Sequence, residues 1–204
     1  MIFIEGNIGS GKSTFIKLLN DRGYTINLEP VDKWTSMKNN NGKNLLEEFY
    51  NDTGRYSYLF QSIAFRTRIK SITSNPSDFT ERSVFTDRNV FAKTCHETGK
   101  MNDIEWEDYC EWFDWLTESL SVKPKGYIYL RADPKVSYDR IKKRSRGGEE
   151  NIPYDYLVNL HTKHDDWLMN EKNVLLIDVN EEFENNNDKL EEMVNKVKNY
   201  ISNM

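Results

Sequence analysis

Gly6-Asn7-Ile8-Gly9-Ser10-Gly11-Lys12-Ser13-Thr14, preceded by Met1-Ile2-Phe3-Ile4-Glu5, fills every fixed position of the pattern GxxxxGK[ST]. A loop of this kind cradles nucleotide phosphates. Gly6, Gly9 and Gly11 let the backbone turn tightly and aim its N–H groups at phosphate oxygens, and the helix that follows presents the positive end of its dipole to the same anion. Lys12 is spaced to reach the β- and γ-phosphates, and Ser13 to set its hydroxyl on Mg²⁺. The flanks agree with this reading. The apolar run before the loop predicts a buried parallel strand, and Thr14-Phe15-Ile16-Lys17-Leu18-Leu19-Asn20 continues with helical spacing to an end near Gly23. Strand, phosphate loop and helix in this order predict an α/β fold whose ligand crevice lies beyond the carboxyl ends of parallel strands.

Composition narrows the functions this fold can serve. The 204 residues are read as one domain, 1–204, long enough to bury a substantial core. A formal charge of −5 disfavours a nucleic-acid partner, since proteins that grip a phosphodiester backbone carry a basic face. Cys95 and Cys110 are the two cysteines and have no CxxC spacing, so neither a disulfide framework nor a zinc site is indicated. No apolar run reaches the length of a membrane span and the chain enters a strand at once, so a soluble cytoplasmic protein with no membrane partner is the expectation.

Further along, Tyr24-Thr25-Ile26-Asn27-Leu28 alternates as a short strand and runs into Glu29-Pro30, which places Glu29 at the phosphate side of the sheet. Asn39 to Lys43 is a polar loop, Leu45 to Tyr50 a helical piece, and Tyr56 to Ile72 a longer helix on which Gln61, Ala64 and Arg68 share one face. That face reads either as solvated or as a surface that hydrogen-bonds a base edge. Ser83-Val84-Phe85-Thr86 is a strand candidate bracketed by Glu81-Arg82 and Asp87-Arg88. Glu105 to Leu120 is an amphipathic helix with Trp106, Tyr109, Trp112, Phe113 and Trp115, an aromatic stripe of the kind that builds a core or a subunit interface. Gly126 to Leu130 and Val174 to Asp178 are strands, Asp133-Pro134 opens a helix, and Asp188 to Ile201 is a closing amphipathic helix. Arg140, Arg144 and Arg146, followed by Gly147-Gly148 and Glu149, read as an Arg-rich lid over transferring phosphates, at about residues 140–150, or else as a solvated basic helix end.

Taken together, GNIGSGKS, Glu29-Pro30-Val31 with Trp34, Phe60-Gln61 with Ala64 and Arg68, Glu81-Arg82-Ser83 with Asp87-Arg88, and the Arg140 to Glu149 segment resemble the deoxyribonucleoside kinase family, most nearly its deoxycytidine and deoxyguanosine kinase branch. The resemblance runs over nearly the whole chain. It implies a three-layer P-loop kinase fold with a central five-stranded parallel sheet flanked by helices. The implied reaction is transfer of the γ-phosphoryl of ATP, or another nucleoside triphosphate, with Mg²⁺, to the 5′-hydroxyl of a deoxynucleoside in nucleotide salvage. Implied catalytic residues are Lys12, Glu29, Glu81 and Arg82, with Ser13 and Glu81 at the metal. One glutamate lies near the 5′-hydroxyl and the other near Mg²⁺, and the sequence leaves open which is which. Gly6 to Thr14, Arg140, Arg144, Arg146, Glu181 and Phe183 are assigned to the phosphate donor. Tyr50 and Glu149 match the residues that hold the sugar 3′-hydroxyl, and Gln61 the amide that pairs with a base edge. Ile8, Val31, Trp34, Leu46, Phe60 and Phe91 form the apolar walls. Ala64, Arg68 and Asp87 look like the arrangement that accepts cytosine or a purine. A homodimer is implied as well. The alternatives are a thymidylate-type monophosphate kinase, which needs an extra cation for an acceptor phosphate, and a non-catalytic relative, which need not retain all of Lys12, Ser13, Glu29, Glu81 and Arg82.

Overall fold

A computed structural model of the protein describes residues 1–144, 149 and 152–204. In chain order, β1 (Ile2–Glu5) leads through the phosphate loop into α1 (Lys12–Asp21) and β2 (Ile26–Asn27). Next come α2 (Val31–Ser36), α3 (Leu45–Asn51), α4 (Thr53–Ser74) and β3 (Phe79–Glu81). One turn of α5 (Val84–Thr86) widens into a π-helical stretch (Asp87–Ala92) and continues as α6 (Lys93–Glu97), after which come α7 (Asp103–Ser119) and β4 (Gly126–Arg131). α8 (Pro134–Arg144), α9 (Tyr154–Leu168), β5 (Val174–Asp178) and α10 (Asn187–Ser202) complete it.

The five strands form one parallel sheet in the order β2-β3-β1-β4-β5. β1 is central, with Ile2 opposite Phe79 on one side and Gly126 on the other. The chain leaves β1 toward β2 and β3 and later crosses to β4 and β5, so the sheet's switch point falls where the phosphate loop begins. Alternation along the strands divides the interior. Ile2, Ile4, Ile128 and Leu130 pack with Phe15, Ile16 and Leu19 of α1 and Val194 and Val197 of α10. Phe3, Tyr127 and Tyr129 point the other way, onto Phe65 and Ile69 of α4 and Phe113 of α7. Three layers result, as the resemblance implies.

The strand expected at Ser83–Thr86 is corrected. The strand is Phe79–Glu81, and Ser83 caps the helical turn that follows, its Oγ accepting from the Thr86 amide at 3.2 Å. Arg82 between them takes φ = 63°, which ends the extended path. The shared face of Gln61, Ala64 and Arg68 is turned inward, all three being buried. The α7 stripe divides: Tyr109 and Phe113 are buried, whereas Trp112 and Trp115 remain 49% and 57% exposed. α9 matches no segment anticipated from the sequence, although it carries much of the packing beneath the site. No described helix is long and apolar enough to cross a membrane.

Candidate active site

At the carboxyl end of β1, the loop wraps a cradle that depends on its glycines. Gly11 has φ = 92°, and a Cβ there would stand 2.6 Å from the Phe183 ring, so both conformation and space exclude a side chain. No side chain caps α1, so its first-turn N–H groups remain open to an anion. Lys12 is buried, its Nζ folded back onto the carbonyls of Gly6 at 3.0 Å and Asn7 at 2.7 Å. Burial, then the Arg82 charge, lowers its pKa to about 7 against the pull of Glu29 and Glu81. Asn7 ties the loop to α9, donating from Nδ2 to the Leu157 carbonyl at 2.9 Å. Ser10, within the loop, is wholly buried, and its hydroxyl has no hydrogen-bond partner among the described residues.

Two carboxylates meet the loop from the neighbouring strands. Glu81, at the end of β3, accepts a 2.5 Å hydrogen bond from Ser13 Oγ. Glu29, beyond β2, is held by Arg68 Nη2 at 2.8 Å and Arg82 Nε at 3.1 Å. Burial pushes Glu29 up, but Arg82, Arg68 and Lys12 together outweigh it and hold the carboxyl down at about 2. Arg68 spans the floor of the site, donating also to Asp87 Oδ2 at 2.7 Å and to the Glu81 carbonyl at 3.2 Å. Arg82 lies over the face of Phe91, 4.5 Å from the ring centroid.

These groups open onto one cavity. Ile8, Lys12, Ser13, Glu29, Val31, Trp34, Leu46, Tyr50, Phe60, Gln61, Ala64, Arg68, Glu81, Arg82, Asp87, Phe91, Arg144 and Glu149 all line it. The aromatic walls brace each other, with Phe49 stacked on Phe60 at 4.5 Å and Trp34 edge-on to Phe60 at 5.5 Å. Gln61 directs Nε2 toward Cys95 Sγ at 3.9 Å. The Tyr50 phenol is pushed far up by burial, then by Glu149 and Glu29, so it stays a hydrogen-bond donor. Arg144 is paired with Glu149 at the rim.

A second cavity adjoins on the outer side of the loop, with Gly9, Gly11 and Thr14 as floor and Arg140, Lys143, Arg144, Glu182, Phe183 and Glu184 around it. Phe183 is buried with Arg140 over its ring at 5.9 Å, and Arg140 Nη2 reaches the Glu181 carbonyl at 3.0 Å. The Glu181 carboxylate turns to Lys189 instead. Arg146 lies outside the described residues.

The family described as deoxynucleoside kinase matches residues 2–202. The chain belongs to the deoxynucleoside kinase family. Among curated relatives it is 42% identical to a probable deoxycytidine kinase of Fowlpox virus (strain NVSL) over 172 residues, covering 82% of this chain and 71% of that one. It is 35% identical to the deoxycytidine kinase of Homo sapiens over 240 aligned residues, 100% of this chain and 91% of the relative. To the mitochondrial deoxyguanosine kinase of Xenopus laevis the identity is 34%, over 98% of this chain and 89% of the relative.

In this kinase the cavity gathers every acceptor-side residue expected from the sequence, and adds Phe49 and Tyr156. Phe49 lies inside a helix already anticipated, one position before Tyr50, and its stacking partner Phe60 was the available signal. Tyr156 sits on α9, for which the sequence reading offered no element. A kinase of this family uses a nucleotide phosphate donor. Among the described residues no cluster of three His, Cys, Asp or Glu could cage a metal ion. Ser13 with Glu81 offers one hydroxyl and one carboxylate, the sparse donor set that suits Mg²⁺ carried with nucleotide phosphates.

Proposed function

We propose that this deoxynucleoside kinase takes deoxycytidine or a purine deoxynucleoside in preference to thymidine, with ATP or another nucleoside triphosphate as donor. The observation that carries the reading is Glu29, a carboxylate kept ionised by two guanidinium groups in the cavity that Lys12 and Ser13 also line, with one of those guanidiniums joined to Asp87. A hydroxyl bound beside Glu29 is oriented toward the γ-phosphorus and passes its proton to the carboxylate as the new P–O bond forms. Glu81, bonded to Ser13, is left to the metal. Bound Mg²⁺ would neutralise charge on the donor phosphates. Lys12 and the open N–H groups of α1 hold those phosphates, and Arg82 offsets charge growing on the transferred group. Arg140 and Arg144 stand on the donor side, Arg146 belongs to the same proposed lid, and Phe183 supports the donor pocket.

The Arg68–Asp87 pair presents guanidinium and carboxylate to the base and narrows the room a thymine methyl needs, while Gln61 pairs with the base edge. Tyr50 and Glu149 supply the polar contact for a neutral sugar hydroxyl. The family match does not favour a monophosphate kinase, and the buried guanidiniums of the acceptor pocket are already engaged, Arg68 with Asp87 and Glu29 and Arg82 with Glu29. Trp112 and Trp115, exposed on one helix, support pairing with a second copy of the chain.

The test is ADP release with Mg-ATP against the four deoxynucleosides and dTMP, with Glu29→Gln and Glu81→Ala as controls. Turnover on deoxycytidine or the purines, lost in both variants, is the expected result. A higher kcat/KM on thymidine than on all three others overturns the specificity, and activity on dTMP alone overturns the acceptor class.

A further inference from the structure

Arg82 occupies an unusual backbone position for a residue with a side chain. Its φ of 63° is left-handed, a conformation that a non-glycine residue keeps only where the surroundings impose it. The turn is imposed from both ends. The Arg82 amide donates to the Ile4 carbonyl at 2.9 Å, and the next amide, Ser83, donates to Glu5 Oε1 at 2.9 Å. The second oxygen of Glu5 accepts from Thr86 Oγ1 at 2.6 Å, fastening the turn of α5 to the same carboxylate.

Glu5 has no solvent exposure, and among the described residues no cation lies within ion-pairing distance of it. A carboxylate buried in this way is expensive unless hydrogen-bonded. Its two oxygens are matched to an N–H and an O–H, a set that an acceptor-only group satisfies and an amide does not. Burial pushes the Glu5 carboxyl up from its ordinary range, and the Arg82 charge together with the hydrogen bonds from Ser83 and Thr86 pulls it back toward the ionised form.

We propose that Glu5 is the positioning residue for Arg82: it clamps the Ser83–Thr86 turn so that the guanidinium is delivered onto Glu29 and over Phe91. Glu5 lines neither the acceptor-side nor the donor-side cavity and acts through the turn. The inference rests on the proposed catalytic role of Arg82. A guanidinium displaced by about an ångström loses transition-state contact while ground-state binding persists, so kcat falls and KM does not.

The experiment is steady-state kinetics, per titrated active site, of Glu5→Gln, Thr86→Val and Thr86→Ser, with Glu5→Gln repeated in an Arg82→Ala background. Glu5→Gln is expected to lower kcat about a hundredfold with KM for both substrates within about threefold of the parent. Thr86→Val should lower kcat in the same direction, while Thr86→Ser, which keeps the hydroxyl, restores the parent value. With Arg82 already removed, Glu5→Gln should change kcat no further. Unchanged kcat in Glu5→Gln, or an undiminished effect without Arg82, overturns the proposal. If Glu5→Gln does not fold, the threonine pair decides it, since equal kcat for Thr86→Val and Thr86→Ser overturns it equally. An inactive Arg82-intact parent would instead remove the kinase reading itself.

Discussion

Glu29 and Glu81 have the same side chain and opposite surroundings. Paired with two guanidiniums, Glu29 is an ionised acceptor across the working pH range, and Glu29→Gln is expected to lower kcat by about 10²–10⁴ with little change in deoxynucleoside KM. A variant retaining parental kcat would transfer the proton-accepting role elsewhere. Lys12 has the complementary pH behaviour. Lowered to about 7 in the free enzyme, it loses its proton as pH rises, whereas a phosphate-bound ammonium keeps it. Donor binding should therefore take up a proton above pH 7, and affinity should fall by up to about tenfold per pH unit. Calorimetry in two buffers of different ionisation enthalpy reads this directly, and identical heats would refute it. At Asp87, replacing the carboxylate with an amide loosens Arg68 on the base side, so Asp87→Asn should reduce discrimination against thymidine by about tenfold, measured as a ratio of kcat/KM values.

Among the elements, strong local signals were legible and weak ones were not. β1, the phosphate loop and α1 follow from glycine placement and periodicity, and the shared face of Gln61, Ala64 and Arg68 from their spacing, whereas the inward direction of that face is a tertiary fact that spacing left open. The strand at Phe79–Glu81 was hidden because it is three residues long and lies next to the more apolar Val84-Phe85, which the Ser83 cap draws into a helix. α9 escaped because Asp, His, Lys and Asn interrupt its apolar residues, and its burial of Leu157, Leu160 and His164 is a tertiary fact. The route of Glu5 to the site was likewise illegible, since its partners Ser83 and Thr86 are distant in the chain. α7 offers a test at this scale. It begins with a capping box, Asn102 Oδ1 accepting from the Glu105 amide at 3.0 Å and Glu105 Oε2 from the Asn102 amide at 2.9 Å. Asn102→Ala should destabilise the fold by about 1 kcal/mol in denaturant titration with kcat per folded molecule unchanged; an unaltered midpoint would mean that packing alone fixes this helix.

For the whole molecule, Trp112 and Trp115 stand half-exposed beside each other on α7, and in the proposed dimer an isologous contact through that helix would cover them. Light scattering should give a dimer for the parent and a monomer for Trp115→Glu, while a monomeric parent would end the proposal. The division of the core between two faces of the sheet makes large-to-small changes on either face costly, and Phe65→Ala is expected to lose about 3–5 kcal/mol. The strand order has a consequence on another timescale. β1 precedes both of its partners in the chain, so one of its edges is completed only when Gly126–Arg131 has been made, and β4 in turn waits for Val174–Asp178. Between the making of β1 and that of β4 the nascent chain therefore carries an apolar strand with an open edge, a template for wrong pairing that a parallel, long-range topology closes slowly. Soluble yield from the cell should thus depend on chaperone supply and translation speed well before it depends on the stability of the finished sheet.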